Sequence, residues 1–229
     1  MTPEVPRSRR ERPAKPALTR AGIVSAAIGV LRAEGLPKVT MRRIAQELDT
    51  GPASLYVYVR NTAELHAAIL DELLGTIETA PERGSWRARV EQVLGSYTRT
   101  LFEYPSLARS AVSARPSGEN YLNLCERLLA LLDEGGVPPA QAAWGVDVLL
   151  QLATATAAEH ATQDESSDNA DEWDALTRAL HGVSADTHPR IAALGPRLLS
   201  GTPEQRLSWG LRSVLNGIAH TPVPEGEPK

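Results

Sequence analysis

The chain has 229 residues, of which 42% are hydrophobic and 4% aromatic, and its net charge is −4. This hydrophobic fraction supports a substantial core, and the shortage of aromatic residues favours helices over sheets. No apolar run is long enough to span a membrane, and the basic, proline-rich first residues do not resemble a signal peptide. The single cysteine, Cys125, excludes an internal disulfide. We therefore expect a helical, cytoplasmic protein in which Cys125 is a core residue, with a redox sensor as the alternative.

Charge is distributed unevenly along the chain. Residues 1–62 carry 11 Lys and Arg against 5 Asp and Glu, a net charge of +6, whereas residues 63–229 carry 13 against 23, a net charge of −10. A small basic unit ahead of a larger acidic one suits neutralisation of nucleic-acid phosphates. A basic face that is merely solvated would give the same charges.

The first residues of the chain are predicted to be a disordered basic arm. Prolines and arginines alternate over residues 1–17, with no helical spacing of apolar residues. The first helix is predicted for residues 19–34, because Thr19 is a good N-cap and Gly35 suits the left-handed conformation that ends many helices.

Two short helices joined by a tight turn follow. Thr40 is expected to cap the first of them, Met41–Leu48, and Pro52 to begin the second, which extends to about Val59. The spacing indicates a helix-turn-helix, in which the second helix lies in the major groove of DNA and the first crosses the backbone. A three-helix bundle without a DNA-binding role is the alternative that spacing alone leaves open.

Outward-facing residues of these two helices are candidates to contact DNA. Small, aromatic and hydroxyl side chains on the second helix can reach base edges or phosphates, and arginines at the start of the first suit phosphate. The candidates are Arg42, Arg43, Ala53, Ser54, Tyr56, Val57 and Tyr58.

The rest of the chain also has helical patterning. Asn61 and Glu64 resemble a capping box at the start of a further helix. Helices are predicted for residues 61–79, 85–104, from 105 onward, 117–134, 139–160, 172–181 and 202–217, with a polar loop at 163–171. The chain is therefore predicted to be all-α, with a small domain at residues 18–62, a larger one at 63–221 and a disordered tail at 222–229.

The helix predicted for residues 139–160 is apolar almost all round, so we expect it to be buried on every side. Its many alanines allow close approach of another helix. Together with the final helix, which carries Leu207, Leu211 and Leu215, it would form a two-fold dimer interface. An ordinary core helix is the alternative.

The helix-turn-helix region resembles a known family. Residues 40–48, TMRRIAQEL, and 54–61, SLYVYVRN, with Leu65, are similar to the DNA-binding signature of the TetR (tetracycline-repressor) family. The resemblance implies an all-helical homodimer with an N-terminal domain that binds operator DNA and a C-terminal domain that binds a small molecule. Thr62 stands where the family often has a phosphate-anchoring lysine. Arg60 or the basic arm is expected to compensate.

Residues 80–160 also resemble the tetracycline repressors proper, through motifs such as Ser85-Trp86 and Arg115-Pro116. The resemblance implies a ligand pocket in which most drug-holding positions are altered. The positions expected to line it are Glu78, Val93, Tyr97, Ala111, Ala114, Arg127, Gln151, Thr154 and Glu159.

The altered pocket argues against a metal-bound tetracycline as the ligand. Of the metal-side residues only Glu159 remains, and one carboxylate opposite two alanines is a poor Mg²⁺ site. Glu159 is alternatively a surface carboxylate, and Glu78 with Arg127 alternatively a salt bridge. We expect a mostly apolar, ring-containing inducer bound without metal or other cofactor.

The sequence contains no nucleophile–base pair, metal-ligand cluster or phosphate-binding glycine loop, so an enzyme is not expected. The expected function is that of a ligand-responsive repressor, which binds a palindromic operator as a homodimer and is released by a small molecule. The alternative is a DNA-binding regulator that answers to no ligand or acts as an activator.

Overall fold

The computed structural model describes residues 17–77, 83–113, 115–165 and 169–224, without the side chains of residues 161–165, 169–173 and 196. Over these ranges the chain is all-α, as predicted, and forms no strand. None of the helices so described combines the length and apolarity needed to cross a bilayer. The helices are α1 (Arg20–Glu34), α2 (Met41–Glu47), α3 (Pro52–Leu55), α4 (Thr62–Leu74), α5 (Trp86–Glu103), α6 (Pro105–Ser113), α7 (Glu119–Glu134), α8 (Pro139–Glu165), α9 (Asn169–His181), α10 (Pro189–Leu198) and α11 (Pro203–His220).

The chain divides into two compact units, one ending at Arg60 and the other beginning at Asn61. The expected boundary lay two residues later, after Thr62. All but residue 17 of the expected basic arm lies outside the described residues, as does the expected tail beyond residue 224.

The first unit is built from α1, α2 and α3 around a small apolar core. The side chains of Ile23, Ile44 and Leu55 are fully buried there. The hydroxyl of Thr19 accepts a hydrogen bond from the backbone N–H of Gly22 at 3.0 Å, and thereby caps α1. Gly35 ends α1 at φ +82°, in the region that favours glycine.

Helix α3 is shorter than the sequence predicted, since regular helix ends at Leu55 and not at Val59. The chain continues as a turn in which the N–H groups of Tyr58 and Val59 both donate to the carbonyl of Leu55, at 2.9 and 3.0 Å. This turn still buries Val59 completely. The inward positions were therefore right although the helix length was wrong.

The second unit surrounds α5 with other helices. Its core includes the fully buried side chains of Leu94, Leu101, Leu124 and Leu128. Helix α5 packs against α6, α7, α8 and α11, and α4 packs against α6 and α7. This arrangement places the interior face of α5 at the centre of the unit.

Several helix ends differ from the predictions. Helix α4 ends at Leu74 and not at residue 79, and the hydroxyl of Thr76 donates to the carbonyl of Leu73 at 2.7 Å there. This bond satisfies one of the carbonyls that a helix end leaves open. Helix α8 continues to Glu165 and α9 begins at Asn169, so the described residues of the predicted loop, 163–165 and 169–171, are helical.

Helix α10 was not predicted. His188 precedes a proline at the first helical position, and α10 has apolar residues at helical spacing, so the start signal was present in the sequence. Leu194 and Leu198 are exposed, however, and α10 packs mainly against α9. Gly195 and Pro196 also lie within α10, and both residue types disfavour a helix interior.

Within one chain, helix α8 is buried on one side and exposed on another, so burial on every side would require a second copy. Leu149 and Ala153 are fully buried, but the side chain of Trp144 is 60% exposed and Val148 is exposed as well. Trp209 on α11 is 69% exposed. Helices α8 and α11 therefore carry large apolar side chains that the described helices of the same chain leave exposed.

Gly145 allows α8 and α11 to approach closely. A Cβ atom added there would lie 2.7 Å from the Cγ2 atom of Ile218 on α11. We expect Gly145→Ala to lower the free energy of unfolding by about 1–3 kcal/mol, because the helices must separate to admit a methyl group. Urea denaturation measures this change.

Gly217→Ala on α11 is the matched control. A Cβ atom there would meet nothing within 4 Å, so the substitution should raise the stability of the helix by roughly 0.5–1 kcal/mol. If the two variants changed the free energy of unfolding in the same direction, the α8–α11 contact would not be as tight as described.

Candidate DNA-binding face and ligand cavity

The helix-turn-helix is held in shape by backbone bonds in its turn. The N–H of Thr50 donates to the carbonyl of Ala45 at 2.8 Å, which folds the chain back at the end of α2. Asp49 adopts φ +48°, which aspartate tolerates better than most residues. Pro52 then starts α3 at the first helical position. The turn therefore fixes α3 against α2.

The outer side of α3 and its following turn is unusually apolar. Val57 is 80% exposed and Tyr56 53% exposed, and Tyr58 beside them is exposed too. Ala53 and Ser54 are also exposed. A row of three large exposed side chains on a small unit is typical of a surface that binds a partner.

Arg42 and Arg43 occupy different environments. Arg42 is exposed at the start of α2, whereas Arg43 bonds Glu34 through Nε and Nη2, at 3.0 and 2.7 Å, and Glu47 through Nη1 at 2.8 Å. The hydrogen bond from Arg43 lowers the pKa of Glu34, and the two carboxylates raise the pKa of Arg43. Arg43 thus links α1 to α2, a role that the sequence did not predict.

The two remaining candidates for DNA contact lie beside the boundary between the units. Arg60 is exposed at the end of the first unit, and Thr62 is exposed as the first residue of α4 in the second. The side chain of Asn61 caps α4 by accepting a hydrogen bond from the N–H of Glu64 at 2.8 Å.

Four of the predicted ligand-binding residues lie together in the second unit. Tyr97, Ala111, Gln151 and Thr154 line a cavity of about 140 Å³ between α5, α6, α8 and the segment leading into α7. The same cavity is lined by residues that the sequence did not single out as ligand contacts: Val112, Arg115, Pro116, Tyr121, Leu150 and Ala155. Arg115 and Pro116 were noted only as a family motif, and only the tertiary fold shows that they face a cavity.

Two of the residues that line this cavity, Tyr97 and Thr154, are hydrogen-bonded to each other through their hydroxyl groups. The hydroxyl oxygens of Tyr97 and Thr154 are 2.7 Å apart, and the Thr154 hydroxyl donates to the carbonyl of Leu150 at 2.7 Å. Because Thr154 has only one hydroxyl hydrogen, Tyr97 must be the donor to Thr154. Burial raises the pKa of Tyr97, and it raises that of Tyr121 to about 12, so both phenols are neutral at pH 7.

The other predicted pocket residues lie elsewhere. Val93 is fully buried in the core, and Arg127 is half-buried on α7. Glu159 lines a different cavity, with residues of α11. Glu78 and Ala114 lie outside the described residues, so the alternative Glu78–Arg127 salt bridge does too. Cys125 is half-buried and carries a free thiol.

A larger cavity, of about 560 Å³, lies on the opposite side of α5. It is bounded by α5, α8 and α11 and includes Gly95, Phe102, His160 and Leu211. The rings of Phe102 and His160 meet edge to face, with centroids 5.4 Å apart. The sequence did not predict this cavity. Over the described ranges, no group of three or more His, Cys, Asp or Glu side chains could hold a metal ion.

Helix α4 is tied to the segment that lines the smaller cavity. A carboxylate oxygen of Asp71 accepts a hydrogen bond from the backbone N–H of Tyr121 at 2.9 Å. Asp71 thereby satisfies one of the open donors at the start of α7, where Gly118 supplies no side-chain cap. The Nδ1 atom of His66 on α4 lies 3.4 Å from the Oγ atom of Ser110 on α6.

Comparison with known proteins identifies two matching families. Residues 23–69 match the bacterial regulatory proteins of the tetR family. Residues 78–221 match the family described as "Tetracyclin repressor-like, C-terminal domain". Together these matches cover both units of the chain.

Individual relatives agree with the family matches. The chain is 56% identical to the transcription regulator SCO7704 of Streptomyces coelicolor, with 93% of this chain and 100% of that one covered and a TM-score of 0.80. The TetR-family protein ActR of the same species, solved in complex with actinorhodin, is 35% identical, with coverages of 89% and 96% and a TM-score of 0.77. The transcriptional repressor DrrR1 of Streptomyces coeruleorubidus is 28% identical over 218 residues, which cover 92% of this chain and 80% of that protein.

These families and relatives are transcriptional regulators and not enzymes, in agreement with the expectation from sequence. The helix-turn-helix, the all-α architecture and both matched regions lead to the same assignment. The chain belongs to the TetR family of transcriptional regulators.

Proposed function

We propose that this protein is a homodimeric repressor, which binds a palindromic operator and is released from it by a ring-containing small molecule. The observation that carries the proposal is the exposed row Tyr56–Tyr58 on the helix-turn-helix, together with the exposed Arg42 in the same unit. Tyrosine hydroxyls and guanidinium groups suit phosphate oxygens, and an exposed valine suits a thymine methyl group. The relative DrrR1 is named as a repressor.

Homodimerisation is proposed from the exposed apolar side chains of α8 and α11. Trp144, Val148 and Trp209 lie on two helices that pack against each other. A second copy could cover this face by two-fold symmetry, and a two-fold dimer would present two helix-turn-helix units to two half-sites. The palindromic symmetry of the operator follows from that arrangement.

The cavity beside Tyr97 is proposed as the inducer site. It joins apolar walls from Ala111, Val112 and Leu150 to a small number of polar groups, as ligand sites generally do. ActR was solved with actinorhodin bound. For this chain we propose a mostly apolar, ring-containing inducer that binds without a metal ion.

Asp71 offers a physical route from this cavity to the junction between the units. Tyr121 lines the cavity, and its N–H is held by the Asp71 carboxylate on α4, the helix that begins at Thr62. A ligand that shifts the start of α7 would also displace α4 through this hydrogen bond. Induction further requires that the ligand bind the DNA-incompetent state more tightly than the competent one.

Fluorescence anisotropy with a labelled duplex tests the proposal as a whole. DNA from upstream of the protein's own gene and the neighbouring genes should bind with a strong salt dependence, and a scrambled duplex more weakly. An inducer found in a library of aromatic natural products should weaken binding roughly 5- to 150-fold. Added Mg²⁺ should not change the response. Equal affinity for both duplexes would contradict the proposal.

Substitutions in the helix-turn-helix should separate phosphate contacts from base contacts. Arg42→Ala and Tyr58→Phe are expected to weaken binding to all duplexes alike and, for Arg42, to reduce the salt slope by about one. Ser54→Ala and Val57→Ala should instead change which operator sequence is preferred. All four side chains are exposed, so thermal melting should stay unchanged.

Arg43→Ala is the matched comparison for Arg42→Ala. Because Arg43 is held by Glu34 and Glu47, its loss should affect the stability of the unit more than the salt slope. If Arg43→Ala and not Arg42→Ala lowered the salt slope, the proposed orientation on DNA would be wrong.

A further inference from the structure

The smaller cavity carries its charge at one position. Among the described residues that line it, Arg115 is the only one with a charged side chain. Arg115 lies in the segment between α6 and α7, and its Nη1 atom donates to a carboxylate oxygen of Asp147 on α8. Both side chains of this ion pair are about half exposed, at 53% and 52%. The cavity is therefore lined by a cation that is also accessible to solvent.

Asp147 uses only part of the hydrogen-bonding capacity of Arg115. A guanidinium group has five N–H donors in a planar fork, and it favours carboxylates because two parallel bonds can form. A ligand carboxylate could therefore bind the guanidinium group of Arg115, either together with Asp147 or in place of Asp147.

Tyr97, which lines the same cavity, offers an acceptor. Tyr97 donates its only hydroxyl hydrogen to Thr154, so the lone pairs of the Tyr97 oxygen remain to accept a hydrogen bond. Tyr97 is 2% exposed, so a ligand group at this oxygen would be shielded from water. A ligand hydroxyl is the complementary donor.

The size of the cavity limits the part of the ligand that it can enclose. Its volume of about 140 Å³ resembles that of a roughly 150 Å³ protein cavity that binds benzene. Its lining includes the apolar side chains of Ala111, Leu150 and Ala155. The volume and the apolar lining therefore suit one aromatic ring.

We propose that this cavity selects aromatic acids that also carry a hydroxyl group, with Arg115 binding the acid and Tyr97 accepting from the hydroxyl. The inference deepens the proposed inducer site and rests on it. Arg115 is then a specificity-determining residue, and Asp147 competes with the acidic ligand for it.

A ligand-observed NMR titration of the full-length protein with three small probes tests the inference directly. The probes are para-hydroxybenzoate, its methyl ester and benzoate. Wild-type protein should bind para-hydroxybenzoate about tenfold more tightly than the ester, because a charge-assisted hydrogen bond is stronger than a neutral one. It should also bind para-hydroxybenzoate more tightly than benzoate.

Two variants of the ion pair should act in opposite directions. Arg115→Gln should remove the preference for the acid over the ester, whereas Asp147→Asn should increase it severalfold, since Arg115 then loses its competitor. Tyr97→Phe should remove the preference for para-hydroxybenzoate over benzoate. Arg99→Gln, at the larger cavity on the other side of α5, is the matched arginine control and should leave all three affinities unchanged.

The outcomes separate this inference from the function on which it rests. If Arg115→Gln kept the acid preference, if Asp147→Asn reduced it, or if para-hydroxybenzoate failed to bind wild-type protein at millimolar concentration, the inference would be overturned. Operator release is measured separately. Probe binding with the expected preferences supports the proposed cavity chemistry, whether or not the probes release the operator. If no aromatic acid released the operator, that result would contradict the proposed induction and not the cavity chemistry.

Discussion

Replacing Trp144 and Trp209 together by glutamate is expected to convert the dimer into a monomer and to weaken operator binding by about a hundredfold or more, because two linked contacts bind far more tightly than one. These indoles are 60% and 69% exposed on α8 and α11. In the proposed interface they would be buried against the second copy. Two carboxylates without partners are costly to bury there.

Light scattering after size-exclusion chromatography measures the first effect, and fluorescence anisotropy with the operator duplex measures the second. Leu122→Glu is the matched control, since Leu122 is a 61% exposed leucine on α7, away from the proposed interface. It should leave both the mass and the affinity unchanged. A double tryptophan variant that stayed dimeric would place the interface on another surface.

Filling the smaller cavity should abolish the response to inducer while leaving operator binding intact. Ala111 is 5% exposed and lines this cavity, so Ala111→Leu adds three carbon atoms to a space that fits one ring. We expect the inducer concentration needed for half-release to rise by about a hundredfold or more, as overlap with the new side chain blocks ring entry. Anisotropy titration of the protein–operator complex with inducer measures the shift.

Gly95→Leu provides the control from the larger cavity. A Cβ atom at Gly95 meets nothing within 4 Å, and the residue lines the 560 Å³ cavity. This variant should respond to inducer like the wild type. If Gly95→Leu blocked the response and Ala111→Leu did not, with normal thermal melting of both, the inducer would bind in the larger cavity.

The local signals that start helices were strong enough to predict much of the fold. Thr40 caps α2 as expected, and α11 begins at the predicted place, where Thr202 and Gln205 form a capping box. Such caps depend on residues within one turn, so they can be recognised without tertiary structure. Helix α10 was missed because the glycine and proline within it argue against a helix in spite of the helical spacing of its apolar residues.

Site residues that depend on local helical spacing could be predicted, whereas those that depend on contacts between helices could not. Helical spacing predicted outward-facing residues over 52–59, and Tyr56 and Val57 are exposed although they lie in the turn after α3. The ion pairs of Arg43 with Glu34 and Glu47 depend on how α1 meets α2, which spacing does not give.

Cavity residues were the hardest to predict. Tyr97 and Thr154 are 57 positions apart in sequence yet hydrogen-bonded, and Arg115 faces the cavity from a segment without regular structure. Their juxtaposition arises from the packing of four chain segments. The resemblance to tetracycline repressors supplied four of the lining positions but not the charged one.

The mass of the protein–operator complex tests the central claim most directly. Sedimentation velocity with a duplex from the protein's own upstream region should show two chains bound to a duplex with one palindromic site. A duplex with more sites should bind a larger, even number of chains. It should also show dissociation when inducer is added. A complex of one chain with one duplex, or a stable complex with any scrambled sequence at physiological salt, would contradict the account of a dimeric, operator-specific repressor.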